Sequence, residues 1–302
     1  MIELDLPRVR LHDGGPTPVR AVRSGLWLKA DGEFGSGGWG GNKVRKLEWL
    51  LGEAQARGRK RILTFGGRGT NWGLATALYA RSLDIETILA LVDQPMDDRV
   101  IAQFERLRNS GARIHLTRSP WRTRLALPRL WLRHGRPWVL PAGGSTPVGA
   151  VGYVEAGLEI GAQVQAGVLP EPDRVVVAVG SGATLAGLVI GLQAAGLRSR
   201  VLGVVVNDQL PLGAGRLAKL AQACAELLGK RGADLGPLDL GEGAFDLTRD
   251  YLGDGYGHPT EAGAEAVRAT GLDLDPIYTA KAMAAALALP GPTLFIHTDG
   301  PR

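Results

Sequence analysis

Cysteine is nearly absent from this chain: among 302 residues there is only Cys224. It lies in the apolar helical pattern LAQACAELL, so no disulfide framework exists and the thiol is expected in a core. The histidines His12, His115, His134, His258 and His297 are scattered, with no i,i+4 pair and no cysteine beside them. Metal-ligand spacing is therefore missing and no metal is expected. Runs long and apolar enough to span a membrane are also missing, and the opening MIELDLPRVRL has no apolar signal core. Neither a membrane partner nor export is expected, which makes the cytoplasm the expected location. Lysine is scarce as well. Only Lys29, Lys43, Lys46, Lys60, Lys219, Lys230 and Lys281 are present, so any lysine chemistry must use one of these.

Glycine, by contrast, is abundant, with 44 residues in a chain that is 45% hydrophobic. The glycines follow no short period and do not mix with serine tracts, which excludes collagen-like repeats and disorder. The net charge of +5 is small for this length and comes from an arginine-rich composition. Nine arginines fall between Arg106 and Arg136 with no carboxylate among them. No nucleic-acid motif accompanies the run, so it reads as a solvated basic helix face and no nucleic-acid partner is expected.

Short valine-, isoleucine- and leucine-rich runs recur at Arg61–Gly67, Thr87–Asp93, Trp138–Gly144, Arg174–Gly182, Arg200–Asn207 and Thr293–Thr298. Each is followed by turn residues and then by a helical pattern, such as Lys46–Gln55 or Thr184–Leu192. Continuous apolar strands alternating with helices predict an α/β protein with parallel sheets covered on both faces. Ligands in such sheets collect beyond the carboxyl ends of the strands.

Four glycine-rich segments combine backbone access with polar side chains: Gly35–Lys43, Gly66–Trp72, Gly143–Gly149 and Gly180–Thr184. The last, GSGAT, follows the strongest strand and opens a helix, where backbone N–H groups and the positive helix end bind a phosphate. A dinucleotide site would require a third glycine at Leu185 and an acid about twenty residues on, and neither is present. The cup suits a compact phosphate monoester such as pyridoxal phosphate, which needs a lysine. Lys43, in GGNKVRKLE between a glycine-rich loop and an amphipathic helix, is placed for a Schiff base, with Lys46 its one rival.

These segments resemble the pyridoxal-phosphate enzyme family of 1-aminocyclopropane-1-carboxylate deaminases and D-cysteine desulfhydrases, of the tryptophan-synthase-β-like fold type II. The resemblance runs in order through Leu26–Lys29, Gly41–Glu48, Pro141–Ser145, Asp275–Thr279 and His297–Thr298. It implies two three-layer α/β/α lobes with mostly parallel sheets and a cofactor cleft between them. The large lobe would comprise 1–45 and 146–302, and the small lobe 46–145. Carried over by position, it implies that Lys43 is the Schiff-base lysine and proton carrier. Asn71 would face the cofactor's 3-oxygen, and Thr70 would stand near the substrate Cα and carboxylate, with Trp72 and Gly73 also in the substrate-binding turn. Gly180, Ser181, Gly182, Ala183 and Thr184 would hold the phosphate, Tyr278 would lie over the reacting carbons, and Thr279 would face the pyridine nitrogen.

A carboxylate facing that nitrogen, as in the deaminase branch, would keep it protonated, whereas the neutral hydroxyl of Thr279 suits departure of a good leaving group from Cβ. The expected activity is β-elimination on a small amino acid, giving pyruvate, ammonia and sulfide from cysteine, in a homodimer. Ring-opening deamination, β-replacement and a ligand-binding relative without turnover are the alternatives. Two departures bear on the substrate: Gly66–Trp72 reads GGRGTNW where relatives carry a glutamine–serine–asparagine turn, and Asp299 follows His297–Thr298 where they carry glycine.

Overall fold

The computed structural model describes residues 5–35 and 41–300. Most of the glycine-rich segment expected at Gly35–Lys43 therefore lies outside the described residues. The chain opens with strands β1 (Val19–Arg23) and β2 (Leu26–Lys29), followed by helix α1 (Asn42–Ala56). A run of alternating elements comes next: β3 (Arg61–Gly67), α2 (Asn71–Arg81), β4 (Glu86–Val92), α3 (Asp98–Asn109), β5 (Arg113–Arg118), α4 (Pro120–Arg133) and β6 (Trp138–Val139). Then follow α5 (Pro147–Gln165), β7 (Arg174–Val179), α6 (Ala183–Ala194), β8 (Arg200–Val205) and α7 (Ala214–Lys230). The chain ends through β9 (Phe245–Thr248), α8 (Glu261–Thr270), α9 (Thr279–Leu287) and β10 (Thr293–Ile296).

Two sheets result. One has the order β1-β2-β10-β7-β8-β9 and the other β5-β4-β3-β6. All pairings are parallel except β1 with β2, in accord with the expected α/β class.

The valine run of β7 shows how the six-stranded sheet is covered. Val175, Val177 and Val179 pack with buried residues of α5, α6 and α7, while Val176 packs with Ala280 and Met283 of α9. Successive strand residues face opposite sides, so a continuous apolar run requires helices on both. In the smaller sheet Ile88 and Ala90 of β4 meet Leu130 of α4, while Leu89 and Leu91 meet Leu74 of α2 and Leu107 of α3.

Part of the glycine excess has a packing role that the turn-centred reading does not anticipate. A Cβ on Gly187 of α6 would stand 2.3 Å from the Ala150 carbonyl oxygen of α5, and one on Gly191 would stand 2.2 Å from the Val154 oxygen. These glycines let α5 and α6 meet backbone to backbone behind the Gly180–Thr184 turn.

Candidate active site

Helix α1 brings three cationic side chains to three different places. Its N-cap, Gly41, has φ 110°, a conformation that glycine adopts without strain. The helix begins at Asn42, not at Lys46 as the periodicity suggests, so Lys43 occupies its first turn and lines the cleft. Arg45 turns the other way, donating from Nε to Asp31 at 2.7 Å and from Nη2 to Glu159 of α5 at 3.0 Å. Tyr153 of α5 also donates to Asp31, so the root of the lysine helix is tied to the larger sheet's helices.

Lys46, one turn beyond Lys43, is fully buried, and its Nζ donates to the Gly143 carbonyl oxygen at 3.3 Å. It also lines the cleft. Loss of hydration pushes the Lys43 amine down to about 8, against the partial support of Asp299 and Asp275. The same burial, together with the Lys43 charge, pushes Lys46 well down. Two amines crowded in one cleft, neither in an ion pair at hydrogen-bonding distance among the described residues, favour an anionic ligand.

Strand β7 ends in the loop expected to hold a phosphate. Gly182 is the N-cap of α6, with φ 106°, and as a glycine it has no side chain of its own to cap that helix. The Ala183 N–H is taken by Ser145, and the N–H groups that follow it in the first turn remain available to an anion. Ser145 Oγ donates to Ser181 Oγ at 2.8 Å and accepts from the Ala183 N–H at 3.3 Å. Asn207 Nδ2 fixes the Gly180 carbonyl at 3.1 Å. A Cβ on Gly143 would stand 2.1 Å from Ser181 Oγ, so the carbonyl that holds Lys46 lies against this cup.

Opposite the cup, Thr70 caps α2 by accepting from the Gly73 N–H at 3.1 Å. Asn71 accepts from Gln103 Nε2 at 2.8 Å through Oδ1, which leaves its Nδ2 as the donor for a ligand. Trp72 lines the cleft but sends its indole N–H inward to Thr64 Oγ1 at 2.8 Å.

The N-terminal end of α9 supplies the last wall. Asp275 Oδ1 accepts from the backbone N–H groups of Ile277 and Tyr278 at 2.8 and 2.9 Å. Thr279 Oγ1 accepts from the Asp275 N–H at 2.7 Å. A Cβ on Gly180 would stand 2.9 Å from Cε1 of Tyr278, so glycine there admits the tyrosine ring to the edge of the cup.

Of the residues expected from sequence, Lys43, Thr70, Asn71, Trp72, Gly180, Ser181, Gly182, Thr184, Tyr278 and Thr279 line a single cleft of about 430 Å³. Gly73 and Ala183 stand behind its wall, their N–H groups already used by Thr70 and Ser145. Further lining residues escape the sequence reading, among them Tyr256, Asp275, Arg124 and Lys46 in a role other than rival Schiff base. Tyr256 lies in the irregular segment GDGYGH, where its only signal is a lone aromatic between glycines.

The donor set fits pyridoxal phosphate on this geometry. It combines a helix start whose N-cap is glycine, a buried amine beside it and a second amine of lowered proton affinity facing the same space. Such a set suits a phosphate and a carbonyl-reactive lysine within one cleft.

The comparisons agree. The family model for pyridoxal-phosphate dependent enzymes matches residues 11–299. The chain is 35% identical to a D-cysteine desulfhydrase of Klebsiella pneumoniae (strain 342), over 97% of this chain and 94% of that protein. It is similar to the crystal structure of an ACC deaminase homologue, with a TM-score of 0.78, 31% identity and coverage of 97% and 92% of the two chains. The processed form of threonine deaminase isoform 2 from Solanum lycopersicum, at 14% identity and TM-score 0.63, shares the fold over 99% of this chain and 88% of that one. With the lysine, the cup and the fold in agreement, the chain belongs to the pyridoxal-phosphate-dependent enzymes.

Proposed function

We propose that the protein is a carbon–sulfur lyase that removes a leaving group from Cβ of a small amino acid, converting cysteine to pyruvate, ammonia and sulfide. The observation that carries this reading is the pairing, in one cleft, of a lysine of lowered proton affinity with a tyrosine held protonated. Packing away from water raises Tyr278 well above the usual phenol range, and the neighbouring Tyr256 raises it further. Tyr278 therefore stays a phenol at neutral pH and can offer its O–H as a hydrogen-bond donor to the departing sulfur.

Bound pyridoxal phosphate supplies the electron sink for the pair left when the substrate Cα loses its proton. The Ser181–Thr184 turn and Lys46 would hold the phosphate. Lys43 would take the Cα proton, since an amine titrating at about 8 is in part neutral near physiological pH. Thr70 and the Asn71 amide orient the substrate end. Thr279 offers the pyridine edge a hydroxyl, with no charge to drive ring-opening chemistry.

The D-cysteine desulfhydrase relative supports the same substrate class. The two sheets support a small lobe of 46–145 and a large lobe of 1–45 with 146–302. No described helix is long and apolar enough to cross a membrane. We further infer a homodimer, as the family resemblance implies, working in the cytoplasm, the location expected from the sequence.

The test is a substrate panel on purified holoenzyme: D-cysteine, L-cysteine, β-chloroalanine and 1-aminocyclopropane-1-carboxylate. Sulfide with pyruvate from a cysteine enantiomer is expected. Formation of 2-oxobutyrate alone would make it a ring-opening deaminase. A new amino acid formed only with added nucleophile would make it a β-replacement enzyme.

A further inference from the structure

The arginine run between Arg106 and Arg136 is not used by the lyase chemistry. Several of its members are engaged on the surface. Arg113 pairs with Glu86, and Arg122 and Arg136 lie over the rings of Trp121 and Trp131 at 5.2 and 5.4 Å. Arg124 is different: it is exposed, it lines the cleft, and it has no ion pair, hydrogen bond or ring contact among the described residues.

Its position follows from helical geometry. At about 100° per residue, Pro120, Thr123, Arg124 and Leu127 fall on one arc of α4 about 100° wide, and these are the α4 residues that line the cleft. Phe65 near the end of β3 and Val92 at the end of β4 belong to the same wall. None of them serves the phosphate cup, the lysine or the Thr70–Asn71 turn. The wall offers apolar surface for a side chain longer than that of cysteine, and its one charged group is a guanidinium at the lip.

We propose that Arg124 is a specificity-determining residue that reads an anionic tail on the substrate's Cβ substituent. The preferred substrates are then β-substituted amino acids whose leaving group carries a short apolar spacer ending in a carboxylate, sulfonate or phosphate. A guanidinium binds such oxyanions through paired N–H donors, and beside a low-dielectric wall that contact is strengthened. This rests on the β-elimination reading. One water is consumed, the Cβ–S bond breaks, the thiol departs with its tail and a proton, and the remainder ends as pyruvate and ammonium, with no external oxidant or reductant.

The experiment compares wild type, Arg124→Gln and Arg124→Lys holoenzymes on S-(2-carboxyethyl)cysteine, on neutral S-propylcysteine and on tail-free β-chloroalanine, each as both enantiomers. Arg124→Gln is expected to lower kcat/KM for the carboxyethyl substrate on the order of 10- to 100-fold while changing the other two less than about twofold. Arg124→Lys should retain part of the preference. An equal loss on all three substrates would assign Arg124 to the α-carboxylate and overturn the proposal, as would no loss on the carboxyethyl compound. If wild type does not eliminate chloride from β-chloroalanine, the lyase reading fails by itself. Calorimetric binding of homocysteate against 2-aminopentanoate then still decides on Arg124: weakening of homocysteate alone in Arg124→Gln supports the assignment, and equal affinities across the variants overturn it.

Discussion

Tyr278 donates its phenolic hydrogen to the phenolic oxygen of Tyr256 at 2.9 Å, with the two rings edge to face at 6.1 Å between centroids. The bond gives the Tyr278 hydroxyl a fixed direction in the resting cleft, and burial raises the proton affinity of both phenols.

Removing the Tyr278 hydroxyl should therefore damage turnover more than cofactor binding. Tyr278→Phe is expected to lower kcat for pyruvate release about 100-fold or more, the usual scale for a lost hydrogen-bond donor to developing charge. Tyr256→Phe, which removes only the acceptor that aims it, should lose less. Cofactor content by absorbance should match wild type in both.

Lys43 and Lys46 can be separated by chemistry. Borohydride reduction of the holoenzyme should fix the cofactor covalently to the Lys43 peptide, and Lys43→Ala should abolish both the attachment and the visible absorption band. Lys46→Met should keep the attachment at Lys43 but lose cofactor on dialysis, because the buried Nζ donor beside the phosphate cup is gone. Attachment at Lys46 in wild type would reverse the assignment.

The lowered proton affinity of Lys43 also predicts a stability effect in cofactor-free protein. Its amine titrates at about 8 when folded, against an ordinary value of 10.5. The unfolded chain thus binds more protons between those limits, and stability rises with pH across that window. Below about pH 8 the folded state bears the cost of a crowded ammonium. Lys43→Met should then raise the Tm of the apoprotein at pH 7, by an amount equivalent to about 1–3 kcal/mol after allowance for solvent reaching the cleft. Repeating the melts towards pH 10.5 should make the advantage vanish.

Gly182 offers a test of the cup. A side chain there would have to hold φ 106°, and its Cβ would stand 2.3 Å from Cδ2 of Leu217. Gly182→Ala is expected to cost about 1–3 kcal/mol in backbone strain alone and to weaken cofactor retention. Calorimetric melts with and without added cofactor measure both.

The sequence is most informative where strong local rules operate. The run Arg61–Gly67 is a strand over those same residues, and the GSGAT turn does open a helix. The run Trp138–Gly144 shortens to the two-residue β6, because Gly143 and Gly144 take φ 65° and 64° and turn the chain out of the sheet. Strand β5, RIHLTR, is at most half-buried and is bounded by Arg113 and Arg118, so its pattern merges with the basic run. Strand β9 has four residues, too few for a period to register. Tyr256 is invisible for a related reason. Gly253, Gly255 and Gly257 around it all have positive φ, and its place in the cleft depends on tertiary contacts with a residue 22 positions away.

The three cations of α1 have an implication for how this segment can change. Lys43 faces the cleft, Arg45 faces Asp31 and Glu159, and Lys46 faces Gly143. Inserting or deleting one residue between Gly41 and Lys46 would rotate some of these side chains by about 100° relative to the rest. The helix is therefore locked in rotational register by charge as well as by packing. A point substitution in GGNKVRKLE removes one of these contacts and leaves the others in place, whereas a change in its length misaligns several at once.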